Sequence, residues 1–174
     1  DATFVRRAFL DAIGTLPTAD EAVAFIDSTD PDKRRKLIDR LLGFTGDPAQ
    51  DIYNDQYTAY WTLRWADLLK NSSQNLGERN MWAFHNWLRE SFRTNKPLDK
   101  FVRELLTAKG NPLSNGPANF FLTSNNPHDL GESAAQLLLG VRIACARCHH
   151  HPFEKYGQAD YYGFAAFFQR VGTK

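Results

Sequence analysis

The chain reads as an all-α protein of about seven helices, with a long loop ahead of the helix that leads to its only two cysteines. Three observations predict this class. Apolar residues recur at three- and four-residue spacing in block after block, whereas no alternating run makes a convincing strand. Helix start and stop residues fall at the edges of those blocks. Aromatics make up 13% of the 174 residues, with 13 Phe and 4 Trp, so rings on helix faces supply much of the packing.

Residues 3–13 place Phe4, Val5, Ala8, Phe9, Ala12 and Ile13 at helical spacing, and Gly14 is a natural stop. After Leu16 and Pro17, Thr18 with Glu21 forms a capping-box signature, and Ala22, Phe25 and Ile26 stripe the second helix. Asp30 as N-cap and Pro31 in the first position start a third, with Leu37, Ile38, Leu41 and Leu42 on its apolar face and a stop near Gly43. The basic run Lys33, Arg34, Arg35 and Lys36, with Arg40, is the solvated face of that helix. Asp47-Pro48 repeats the start signal for a longer helix carrying Ile52, Tyr57, Trp61, Trp65, Leu68 and Leu69.

A polar break at 71–75 precedes Met81, Phe84, Leu88 and Phe92 on one face, broadened by Trp82 and Trp87. Pro97 opens a helix with Leu98, Phe101, Val102, Leu105 and Leu106, and Gly110 closes it. Residues 111–126 turn to Asn, Ser, Pro and Gly; this is the longest loop, and Phe120, Phe121 and Leu122 pin it against an apolar surface. Asn126-Pro127 starts the helix of Leu130, Ala134, Leu137, Leu138 and Val141, which delivers the chain into Cys145. A final helix carries Tyr161, Phe164, Phe167, Phe168 and Val171. One helical domain, 1–174, thus divides into N-terminal helices (1–46), aromatic-rich helices (47–110), a loop (111–126) and the cysteine-bearing region (127–174).

Net charge is +1 with both signs interspersed, which gives no field for nucleic acid. No apolar run reaches the 18 residues of a membrane span. The chain opens at Asp1 inside a helical pattern, so we expect a mature or trimmed piece.

The chemistry concentrates in Cys145-Ala146-Arg147-Cys148-His149, followed by His150, His151 and Pro152. Two cysteines three positions apart with a histidine directly behind them have the spacing of a c-type haem attachment site. Two thiols add across the haem vinyl groups as thioethers, and the adjacent imidazole reaches the iron. A disulfide or thioredoxin-like dithiol would use the same cysteine spacing, but the redox motif needs a βαβ setting. Zinc could draw on Cys145, Cys148, His149 and His151, four ligands crowded into seven residues, which makes one tetrahedron difficult.

The expectation is one covalent haem c per chain, anchored by Cys145 and Cys148, with His149 as the proximal iron ligand. The distal ligand is sought among Met81, His85 and His128, because His150 and His151 stand too near His149 along the chain to reach the opposite haem face. His151 is expected at a haem edge, as a propionate partner, a hydrogen-bond partner of an axial group or a proton donor. Such a domain passes single electrons, to a redox partner protein or to other domains of a larger exported protein. An enzyme or small-ligand-binding haem domain with an open iron site is the alternative. A zinc-bound or purely structural interaction domain is a further one. Covalent attachment of haem favours the periplasm or another exported compartment.

Four stretches carry a family likeness. Leu139 to Ile143 leading into Cys145–Lys155, then Asp160 to Phe168, resemble the planctomycete cytochrome-associated domain, as do Met81 to Trp87 and Lys96 to Leu106. The resemblance covers most of the chain and is most specific at the cysteine motif. It implies a cytochrome c-like domain within large exported proteins. It also implies that His151, two after the axial histidine, matches a histidine of the family pattern, whereas the position of His150 varies.

Overall fold

A computed structural model describes residues 1–169; Val171, assigned above to the last helix, lies outside the described residues. Among these there are nine α-helices, two 3₁₀ segments and one π-helical turn, and no strand. The all-α class holds, and the helices outnumber the expected seven because short elements occupy stretches read as breaks. The described chain forms two compact units, one of Asp1–Trp65 with Leu88–Lys96, the other of Ala66–Trp87 with the chain from Pro97 onward.

In the first unit, α1 (Ala2–Ile13) ends at Gly14, whose φ of 72° is the left-handed conformation that glycine adopts cheaply. The Thr18–Glu21 capping box opens α2 (Ala19–Asp27) as its residue types require. Helix α3 (Lys33–Leu42) begins two residues later than the Asp-Pro signal, with Asp32 as its N-cap; the Asp30 carboxylate instead accepts from the Asp32 N–H and pairs with Lys36. Val5, Phe9, Ile13, Phe25, Leu37, Leu41 and Tyr53 form the core, while Ile38, expected inside, is exposed.

The long helix expected from Asp47 starts only at Asn54 (α4, Asn54–Leu68). Asp47 caps a local turn instead, accepting from Ala49 N–H, and Asp51 accepts from Thr45. Side chains of this type compete with the helix by bonding nearby backbone. Ile52 and Leu68 are consequently exposed and Tyr53 is buried. An apolar groove of about 710 Å³ lies in this unit, lined by Phe4, Ala8, Ile38, Leu41 and Trp61 among others.

In the second unit the polar break holds a one-turn helix, α5 (Ser73–Leu76), capped by Ser72. Helix α6 (Glu78–Arg93), which belongs to this unit as far as Trp87 and to the first from Leu88 on, and helix α7 (Leu98–Thr107) follow. Trp87 stacks between Phe84 (5.9 Å) and Phe101 (4.7 Å). The expected loop 111–126 contains a 3₁₀ segment, Gly116–Leu122, which buries Phe120 and Asn119. A Cβ at Gly116 would stand 2.6 Å from the Ala83 carbonyl oxygen, so only glycine allows this approach to α6. Asn119 holds the segment together, donating to the carbonyls of Pro112 and Gly116 at 2.9 Å each.

Asn126 caps α8 (Pro127–Ala134) as expected, but the helix then widens into a π-helical turn, Ala135–Leu139, and stops at left-handed Gly140. The second 3₁₀ segment is Ile143–Arg147, and α9 (Gln158–Ala166) closes the described chain. Helix α9 packs on both α8 and the Ile143–Arg147 segment.

Candidate functional site

Cys145 and Cys148 sit at the end of helical structure, as expected, but on a 3₁₀ turn rather than an α-helix. The distinction matters because side chains three apart eclipse in a 3₁₀ helix. Ile143 and Ala146 form one such pair and are buried; Cys145 lies within the segment and Cys148 is its C-cap, and both are exposed. Both thiols are free. Ile143 and Ala146 enter a cluster with Ala135 and Tyr161, and Val141, Tyr156 and Phe164 pack against it. Ile143 and Ala146 are therefore fixed in apolar contact while both thiols stay exposed.

Side chains from outside hold the backbone of this turn. Gln158 Nε2 donates to the Arg147 carbonyl at 3.1 Å, and the Tyr162 hydroxyl donates to the same oxygen at 3.4 Å. His149 Nδ1–H donates to the His150 carbonyl at 2.6 Å. A carbonyl only accepts, so this bond fixes the proton on Nδ1 and leaves the Nε2 lone pair free. Glycine at 157 makes room for the His150 ring, whose Nδ1 would lie 2.7 Å from a Cβ there.

His151 is placed differently from its neighbours. Its Nδ1 accepts from the backbone N–H groups of Phe153 (3.2 Å) and Glu154 (2.9 Å), and Nε2–H donates to the Arg142 carbonyl at 3.2 Å. Its backbone N–H donates to Tyr156 O at 2.8 Å. Both ring nitrogens are thus committed to the chain itself: His151 closes the loop 151–156 and ties it to the residue just before the cysteine turn. Phe153, at the tip of that loop, is 92% exposed.

The three distal candidates lie in the same unit. Met81 and His85 are on α6, where the Trp82 ring meets His85 edge-on at 5.3 Å. His128 is on the first turn of α8, its ring parallel to Tyr161 (5.6 Å, 7°) and edge-on to Tyr162 (5.8 Å). The Tyr161 hydroxyl donates to Glu132 Oε1 at 2.6 Å and lies 3.2 Å from His128 Nδ1. Burial first, then the bond to the Glu132 carboxylate, pushes the Tyr161 hydroxyl well above the ordinary tyrosine range. Reasoning from periodicity placed Tyr161 on an apolar stripe and missed this network; the signal available was the four-residue spacing of His128 and Glu132, which share a helix face. No group of three or more His, Cys, Asp or Glu side chains among the described residues is disposed to hold a metal ion, and no described helix is long and apolar enough to cross a membrane.

The fold and site define an all-helical protein with an exposed Cys-x-x-Cys-His turn braced by a following helix. Residues 1–173 match the PSCyt2 family model, described as a protein of unknown function (DUF1549), and the chain belongs to that family. No curated protein and no solved structure matches it.

Proposed function

We propose that the turn Cys145–His149 is a covalent haem attachment site and that this domain transfers single electrons. The observation that carries the proposal is the pairing of two free, exposed thiols, one on a 3₁₀ turn and one at its C-cap, with an adjacent imidazole whose Nε2 lone pair is free. Cys145 Sγ and Cys148 Sγ supply the thioethers, and His149 Nε2 is the proximal ligand. A bound haem would supply an iron that cycles between two oxidation states. The Nδ1–H bond to the His150 carbonyl fixes the proximal tautomer in advance and raises the basicity of Nε2. His151 acts through the backbone: with both nitrogens engaged it braces the turn, which also removes it from a four-ligand zinc set.

Attachment by this chemistry favours an exported compartment, and the cytochrome-associated resemblance supports the same setting. The partner is then a redox protein or a neighbouring domain of a larger chain. Arg142, Arg147 and Lys155 surround the turn and enter no ion pair among the described residues, so an acidic partner surface would meet them favourably.

Production in a host competent for haem attachment tests the proposal. The purified chain is expected to give a pyridine haemochrome spectrum and a mass increase of one haem that survives denaturation. Cys148→Ser should leave at most one thioether. A colourless protein with the mass of its amino acids alone would overturn the proposal.

A further inference from the structure

We infer that His128 would supply the second imidazole to a haem held through Cys145, Cys148 and His149, so that the iron of the bound group would take ligands from two histidines. The inference rests on the haem reading above and deepens it.

The argument begins with one proton. A tyrosine hydroxyl has a single hydrogen to give, and Tyr161 gives it to Glu132 Oε1 at 2.6 Å. The same oxygen stands 3.2 Å from His128 Nδ1. With its proton committed, that oxygen can only accept, so His128 Nδ1–H is the donor. The proton on Nδ1 leaves the His128 Nε2 lone pair free for a metal. His149 reaches the same tautomer through the His150 carbonyl. A histidine that gives one ring N–H to a fixed acceptor while its other nitrogen stays open is the arrangement used by metal-ligating imidazoles.

The orientation of the ring is fixed as firmly as its tautomer. His128 lies parallel to Tyr161 and edge-on to Tyr162, and the Tyr162 hydroxyl bonds the Arg147 carbonyl within the cysteine turn. The two neighbours that hold the ring therefore come from the helix that holds the turn. Tyr161 is 2% exposed and belongs to the cluster beneath Ile143 and Ala146, so the acceptor of the His128 proton is itself immobilised by the turn's own core.

Three measurements on the haem-loaded full chain test this. The wild-type protein is expected to be low-spin in both redox states, with the electron paramagnetic resonance of two imidazole ligands, and its ferrous form should not take up carbon monoxide. His128→Gly should become high-spin in the ferric state and bind carbon monoxide, and added free imidazole should restore the low-spin spectrum. Met81→Leu and His85→Gln should leave the spin state unchanged. Tyr161→Phe should stay low-spin but shift the reduction potential upward, because an imidazole that has lost the acceptor of its N–H donates less charge to iron. A high-spin wild type, or a low-spin signature that persists in His128→Gly or is lost in Met81→Leu, would overturn the assignment while leaving covalent attachment standing. A chain with no haem on it would overturn both.

Discussion

Replacing His151 by alanine should loosen one short segment and leave the helices intact. The side chain makes three hydrogen bonds to backbone groups, accepting from Phe153 and Glu154 and donating to Arg142. Each such bond contributes about 0.5–1.5 kcal/mol net. His151 is half-buried and its partners are exposed, so water replaces part of what is lost, and the lower half of that range applies, for a total of about 1.5–3 kcal/mol. Every 1.4 kcal/mol is tenfold in an equilibrium, so opening of the loop should become roughly 10- to 100-fold more frequent.

Hydrogen exchange of the Phe153 and Glu154 amides reads this directly, with the amide of the buried Leu105 on α7 as an internal reference that should not change. His151→Asn sharpens the test. An asparagine side-chain oxygen accepts from backbone N–H groups two residues on, so it should recover most of the protection at the loop without reaching Arg142. If alanine leaves exchange at Phe153 and Glu154 within twofold of wild type, His151 does not brace the loop.

Two other sites give predictions that do not depend on haem. Lys33 donates to the carbonyls of Phe25 (3.0 Å), Ile26 (3.2 Å) and Ser28 (2.7 Å) and pairs with Asp1, with its side chain only 17% exposed. It thus closes the C-terminal end of α2, and Lys33→Met should cost about 2 kcal/mol, a fall of roughly 4–8 °C in Tm for a chain of this size; a shift under 1 °C would refute the role. Burial raises the hydroxyls of Tyr161 and Tyr57 above the ordinary tyrosine value. A group held protonated by the fold contributes stability that is intact below the unfolded value near 10 and is lost as pH rises beyond it. Urea unfolding should therefore show flat stability from pH 7 to about 9 and a decline above 10. Tyr161→Phe should lower stability at pH 7 by about 1–2 kcal/mol and flatten the alkaline decline; an unchanged slope would contradict the burial argument.

What was legible in the sequence was local. Thr18 and Glu21, Gly14 and Asn126 act within a few residues of themselves, and each does in the fold what its chemistry announces. Asp47 announced a helix too, but Thr45 and Asp51 offered nearer hydrogen bonds, and the helix began seven residues later. The cysteine turn was recognisable from spacing; its 3₁₀ form was not, because that depends on which edge the core takes. His151 was expected at a haem edge, and its ring is instead spent on Arg142, Phe153 and Glu154, partners that only the folded loop brings together. Tyr161 lies 33 residues from His128 and 29 from Glu132. No periodicity within one helix could join them.

The cysteine turn is short, and a 3₁₀ segment of five residues has too few internal hydrogen bonds to hold its own position. Its carbonyls are fixed from elsewhere, Arg142 by His151 and Arg147 by Gln158 and Tyr162. Two of those three side chains stand on α9, and the residue between them in the helix, Tyr161, orients His128. The helix that holds the cysteine turn at Arg147 is therefore also the helix that orients His128. A displacement of α9 would move both references together, which preserves the relation between His128 and His149 better than independent supports would. If haem is attached as proposed, substitutions along the Gln158–Tyr162 face should perturb its spectrum more than substitutions of equal stability cost in α1–α3, since the former touch both the Arg147 carbonyl and His128.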